Sequence, residues 1–158
     1  MERSVVILKS IVFGLIILAS SFYSGRERTL NVSGDQDTLR KYQDGTFSGQ
    51  SRYRYTDEPY WGTVSVTIKN DLITNVFFSI RDSALHEPFD SIYEKHFQGN
   101  DLYIQQCRND WKGVKSYPGK LIKSQDINKI DVITGATWSC NIFRASLEEA
   151  LNKAKRVP

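Results

Sequence analysis

Seven residues, Asp131-Val132-Ile133-Thr134-Gly135-Ala136-Thr137, stand just before a strongly amphipathic segment. They are where residue type and spacing in this chain best support chemistry. The segment after them, Ser139–Arg156, carries Ile142, Phe143, Leu147, Ala150, Leu151 and Ala154 on one helical stripe. A helix that starts there exposes unpaired N–H groups and the positive end of its dipole. Small residues leave the backbone open to a ligand, so a phosphate would be stabilised at this point, with the Thr134 and Thr137 hydroxyls within reach. The same residues also suit an ordinary helix start, with Thr as the cap and Gly135 as a plain turn. Local physics leaves both readings open.

The other reactive side chains are sparse. Cys107 and Cys140 are the two cysteines, either one disulfide or two buried thiols. There is no CxxC, and His86 and His96 stand ten apart, so no metal-ligand spacing arises. No Ser elbow accompanies the histidines, so no nucleophile–base triad forms and no catalytic residue is assigned.

Antiparallel strands must position the motif. Asp44-Gly45 signals a turn, and Thr46–Tyr55 alternates loosely as a strand. Gly62–Lys69 alternates cleanly, with Val64, Val66 and Ile68 on one face. Asn70-Asp71 turns the chain and Leu72–Ile80 returns, which is the clearest hairpin in the sequence. Phe89, Ile92, Tyr93, His96 and Phe97 then predict a helix over Pro88–Phe97 that stops at Gly99. Short strands or loops are expected through Trp111, Gly113, Pro118-Gly119, Ile122 and Ile127. The predicted class is α+β, an antiparallel sheet with packed helices after an N-terminal hydrophobic leader helix.

With 158 residues, 40% apolar and 25% charged, the chain has the composition of one ordinary domain, not of a disordered tail, a collagen or a disulfide-stapled miniprotein. Its net charge of +3 is concentrated at the start, where the first 28 residues hold four basic and two acidic groups, leaving +1 for the rest. No nucleic-acid footprint remains. Residues 5–23, VVILKSIVFGLIILASSFY, are apolar apart from Lys9 and a few serines. Either Ile11–Ala19 is the core of a signal peptide cleaved near Ala19-Ser20-Ser21, or Val5–Tyr23 approaches the roughly 20 residues of a spanning anchor with Lys9 snorkelling. Both readings carry the domain out of the cytoplasm. The expected organisation is a signal peptide or membrane anchor at 1–25, a linker at 26–42 and a folded domain at 43–158.

The D-x-x-(S/T)-G-A-T motif before an amphipathic helix resembles the flavinylation motif of the FMN-binding domain family. Members of that family serve as flavin-carrying components of the sodium-translocating NADH:quinone oxidoreductase and of the Rnf complexes. The opening DGTFSG at Asp44–Gly49, the hairpin VxVxIKNDLIxxV at Val64–Val76 and the closing SLEEALNKA at Ser146–Ala154 follow in the family's order. The likeness spans about Tyr42 to Lys155. Two departures stand out. The glycine-rich stretch before the hairpin is Pro59-Tyr60-Trp61-Gly62 here, and the Glu-Thr-Pro-Gly turn after it has His86-Glu87-Pro88-Phe89 as its nearest match.

The resemblance implies covalent FMN, joined by a separate flavin transferase through its phosphate to Thr137, with Asp131, Thr134, Gly135 and Ala136 as the recognised sequence. Trp138 then packs on the ring or, alternatively, on Phe143. Tyr60 and Trp61 are candidate ring walls or plain strand aromatics. His86 and Glu87 are candidate ring partners or a solvated loop pair. The implied role is a membrane-associated electron carrier between a membrane quinone oxidoreductase and an acceptor outside the cytoplasm. A cofactor-free exported interaction or assembly subunit of the same fold is the alternative, and a flavoenzyme that reduces a small molecule itself is a third.

Overall fold

In the computed structural model, which describes residues 40–156, four antiparallel strands lie in chain order as one meander. They are β1 (Gly45–Gln50), β2 (Tyr60–Lys69), β3 (Leu72–Asp82) and β4 (Glu87–Pro88). Two helices follow, α1 (Asp101–Ser124) and α2 (Thr137–Ala154). The fold is α+β, as expected. The leader at 1–25 and nearly all of the 26–42 linker lie outside the described residues. The last linker residue pairs with the far end of the domain, where Tyr42 bridges Lys155.

The β2–β3 hairpin turns through Asn70 (φ 51°) and Asp71 (φ 65°), two left-handed residues that match the twist of the strands. One strand face is buried: Val64, Val66 and Ile68 from β2, and Ile73, Val76, Phe78 and Ile80 from β3. The step from Ile73 to Val76 breaks strict alternation. A register shift at Thr67/Ile68 accommodates the extra residue and returns the apolar set to the core. α2 lies on β1 and β2, α1 on β3, and the two helices touch. The predicted α2 stripe is buried at all six positions.

Three local expectations are corrected. The strand predicted over Thr46–Tyr55 ends at Gln50, and Ser51–Tyr53 is a 3-10 turn. The Ser51 carbonyl accepts from the Arg54 and Tyr55 amides, and its hydroxyl accepts from the Gly62 amide at 2.8 Å, which turns the chain away from the sheet. The helix predicted over Pro88–Phe97 is a two-residue strand, a loop and a 3-10 turn at Tyr93–Phe97. Phe89 donates its amide to Ile80 as a sheet residue does, and Asp90 Oδ1 takes the Ile92 amide and holds a turn.

The third correction is the largest: the short strands or loops predicted after Gly99 are the 24-residue helix α1. Asn100 caps it through the Tyr103 amide, and Gln125 closes it in a left-handed conformation (φ 55°). Pro118 sits inside α1 and removes one helical hydrogen bond, at a typical cost of about 3 kcal/mol. Packing offsets that loss, since Val114, Tyr117 and Leu121 are all buried around it.

Candidate functional site

The motif loop is held between the two helices. Ile133–Ala136 forms a turn closed by the Ala136 amide on the Ile133 carbonyl at 2.8 Å. Gly135 has φ 75°, the positive value that the third position of a type II turn requires. α1 supplies the rest of the scaffold. Tyr117, fully buried, donates its hydroxyl to the Ala136 carbonyl at 2.8 Å and accepts from the Ile133 amide at 3.4 Å. Burial is the main reason its hydroxyl is pushed up to about 12. Gln106 donates to the Gly135 carbonyl at 2.8 Å, and Lys120 to the Asp131 carbonyl at 2.9 Å. Tyr117→Phe removes the bond that spans the loop, so unfolding stability should fall by about 1 kcal/mol in a urea titration. An unchanged midpoint would mean that the bridge does not hold the loop.

The start of α2 has an unusual cap. Ala136 occupies the cap position and offers no side-chain acceptor. The buried Asp110 carboxylate of α1 serves instead, taking the Ser139 amide at 3.0 Å and the Ser139 hydroxyl at 2.8 Å. Among the described residues, no acceptor meets the Thr137 and Trp138 amides. Thr137, Thr134, Gly135 and Asp131 are exposed, while Ala136 is buried. The result is a helix start with an accessible hydroxyl and two open donors.

A cavity of about 270 Å³ lies beside this helix start. Tyr60, Phe89, Tyr93, Phe97, Tyr103 and Trp138 give it six aromatic walls. Trp138 packs edge-on against Tyr60 and Phe89, with both ring centroids 5.2 Å away. It therefore faces the cavity, whereas Phe143 packs on Phe78 and Tyr117. Behind the rings runs a buried chain of hydroxyls. Tyr60 and Tyr93 are linked at 3.0 Å, and Tyr93 donates to Asp82 at 2.5 Å. Burial raises the Asp82 carboxyl, but hydrogen bonds from Tyr93 and the Leu85 and Ala84 amides outweigh it and hold the group below the usual carboxylate range. Burial and the Asp82 bond together push the Tyr93 hydroxyl far up, which keeps it protonated.

The structure divides the remaining candidates. Tyr60 lines the cavity, whereas Trp61 carries Arg52 over its ring at 4.7 Å. Adjacent strand residues point to opposite faces, so only one of the pair can serve. His86 is a left-handed turn residue (φ 58°) whose carbonyl takes Arg81, and Glu87 pairs with His96 and Lys95, each at 2.9 Å. Neither lines the cavity. Sequence reasoning missed Tyr103, Gln106, Cys107 and Asp110 as lining residues because all four lie on α1. Both thiols are free and buried. A larger cleft of about 520 Å³ lies toward the other end of α2, between polar residues such as Lys41, Arg54, Glu148 and Lys155. It has no aromatic stack and stands away from Thr137.

The model of the FMN-binding domain family matches residues 60–152, and the chain belongs to that family. Among solved structures, the chain is similar to the CPE2226 protein from Clostridium perfringens, with a TM-score of 0.51 and 24% identity over 72% of this chain and 88% of that one. That likeness concerns the fold. No curated protein matches the sequence. The site's residues fit an FMN. A cavity of 270 Å³ is slightly below the range of about 300–1,000 Å³ that accepts a whole drug-sized ligand, which suits a flat ring with its phosphate tail outside. A phosphate tail leaving the cavity at the start of α2 would meet donors in the open Thr137 and Trp138 amides.

Proposed function

We propose that this chain is an electron-transfer domain carrying one FMN, joined through its phosphate to the Thr137 hydroxyl, with the ring in the aromatic cavity beside Trp138. The observation that carries this reading is an exposed threonine hydroxyl on the first residue of α2, next to a cavity walled by six aromatic rings. During maturation the Thr137 oxygen bonds to the FMN phosphorus of FAD while the bond to the AMP oxygen breaks. AMP leaves, and the hydroxyl proton passes to the flavin transferase. The phosphodiester keeps one negative charge, which the Thr137 and Trp138 amides and the helix dipole stabilise. Gly135 and Thr134, both exposed, give the transferase access to the backbone.

Bound flavin supplies the one- and two-electron redox chemistry, and the protein sets its position and surroundings. Tyr60, Phe89 and Trp138 hold the ring by packing, and the apolar wall limits water. The described residues contain no cluster of three or more metal-ligating side chains. We assign membrane attachment to the apolar leader at 5–23 on its composition; no helix among the described residues is long and apolar enough to cross a membrane. We place the domain outside the cytoplasm, tethered or released, with a membrane quinone oxidoreductase as its redox partner. A covalent link suits that location, because flavin lost there is not replaced from the cytoplasmic pool.

The test is co-expression of the full chain with a flavin transferase, then a denaturing gel viewed under ultraviolet light. A fluorescent band at the protein's mass is expected. A dark band beside a fluorescent control domain would overturn the covalent link, and natively purified protein without flavin absorbance would return the chain to the reading of a cofactor-free interaction subunit.

A further inference from the structure

We propose that Asp110 sets the reduction potential of the bound cofactor, holding it low through a fixed negative charge in the cavity wall. The inference rests on the flavin reading above and goes beyond the attachment site to a residue 27 positions upstream of it. Asp110 is 2% exposed and is a lining residue of the aromatic cavity. Its Oδ1 accepts from the Ser139 amide and hydroxyl, and its Oδ2 accepts from Gln106 Nε2 at 2.5 Å. Groups that can only donate, the Ser139 amide and the Gln106 side-chain nitrogen, meet both of its oxygens, and the Ser139 hydroxyl, which also lies 3.2 Å from the Ala136 carbonyl, adds a third contact.

The rest of the lining supplies no cationic side chain to balance that charge. The other lining residues are six aromatics, Gln106 and Cys107, with no Lys, Arg or His among them. Burial, together with the Asp110 and Glu94 charges, raises the Cys107 thiol and keeps it neutral. The positive end of α2 is shared between Asp110, at the Ser139 amide, and the open amides of Thr137 and Trp138.

Two electrons added to an isoalloxazine ring bring negative charge unless a proton follows each of them. In a wall of low polarity, a neighbouring carboxylate opposes that charge and a cation would favour it. Asp110 therefore favours the oxidised ring and makes the reduced ring a stronger donor. It acts through its charge and through the start of α2 that it caps, so it is a positioning and tuning residue.

The experiment is a redox titration of the full-length flavinylated protein and three variants. Asp110→Asn keeps the size and the Oδ1 acceptor but removes the charge. Gln106→Lys leaves Asp110 intact and sets a cation beside it from the exposed rim of the cavity. Both should raise the midpoint so that the reduced-to-oxidised ratio at a fixed potential changes about tenfold, or about 30 mV for a two-electron couple. Ser139→Ala removes one donor to the same carboxylate while keeping its charge. It should lower the thermal midpoint of the flavin-free protein and leave the potential in place.

An unmoved midpoint in both Asp110→Asn and Gln106→Lys, or an equal shift in Ser139→Ala, would overturn the role of Asp110 alone. A wild-type chain that takes up no flavin would overturn the flavin reading and this inference with it.

Discussion

Thr137→Ala should abolish covalent flavin attachment and turn the denaturing gel from fluorescent to dark. The expected effect is all-or-none because the substitution deletes the one oxygen that forms the proposed bond to phosphorus. Thr134 carries the only other hydroxyl in the motif, but it sits on the turn, three residues before α2 and away from the open amides. Thr134→Ala, which alters the recognised sequence but not the linking oxygen, should therefore leave part of the chains flavinylated, and Thr137→Ser should restore part of the flavin lost in Thr137→Ala. The fold should tolerate the change. Thr137 is exposed and makes no side-chain cap, and alanine is the better helix former, so stability should move by no more than about 0.5 kcal/mol. Full fluorescence in Thr137→Ala would show that another residue holds the cofactor.

The second large effect lies far from the cofactor. Gly49→Ala should cost about 3 kcal/mol or more, seen as a large drop in the urea midpoint. A Cβ at Gly49 would lie 2.2 Å from the Ser146 carbonyl oxygen and 2.4 Å from the Ala150 amide nitrogen. Both are backbone atoms of α2, so no side chain can swing aside and β1 must lift off the helix. Glu149, which takes the Gln50 amide, and Lys153, which donates to the Ser48 carbonyl at 2.9 Å, would be pulled out of place with it. For a domain with a total stability of about 5–15 kcal/mol, such a loss is a large share. An unchanged midpoint would mean that β1 and α2 are not in the close contact described.

What the sequence revealed and concealed follows from physical signals. The β2–β3 hairpin was legible because a β-branched alternation flanks an Asn-Asp turn, two independent cues at one place. α2 was legible because six apolar residues repeat at helical spacing. α1 was not, although its buried face is also regular: Cys107, Asp110, Gly113, Val114, Tyr117 and Leu121. Two of those six positions hold an aspartate and a glycine, and Pro118 sits among them, so the stripe does not look apolar. The disguise has a cause in the site. Asp110 caps α2, and at Gly113 a Cβ would stand 2.6 Å from the Ser139 hydroxyl and 3.2 Å from the Ala136 Cβ. The residues that hid the helix are those that press it against the motif.

The same reasoning explains the candidate site. The proposed attachment chemistry lies in contiguous residues, Asp131–Thr137, and contiguous motifs survive without a structure. The cavity draws Tyr60 from β2, Phe89 from the loop after β4, Tyr93 and Phe97 from a 3-10 turn, and Tyr103 from α1. Only the tertiary fold brings those together. Tyr60 and Trp61 were indistinguishable in the sequence, and strand alternation alone separates them once β2 is oriented.

The functional reading depends on one bond, from the Thr137 oxygen to the phosphorus of a single FMN. Intact mass of the purified full-length protein, co-expressed with a flavin transferase and denatured before measurement, reads that bond without an intermediary. The expected result is a gain of one FMN less one water over the unmodified chain, carried by the peptide that contains Thr137. A chain at its unmodified mass, from cells in which a control domain is fully flavinylated, would contradict it.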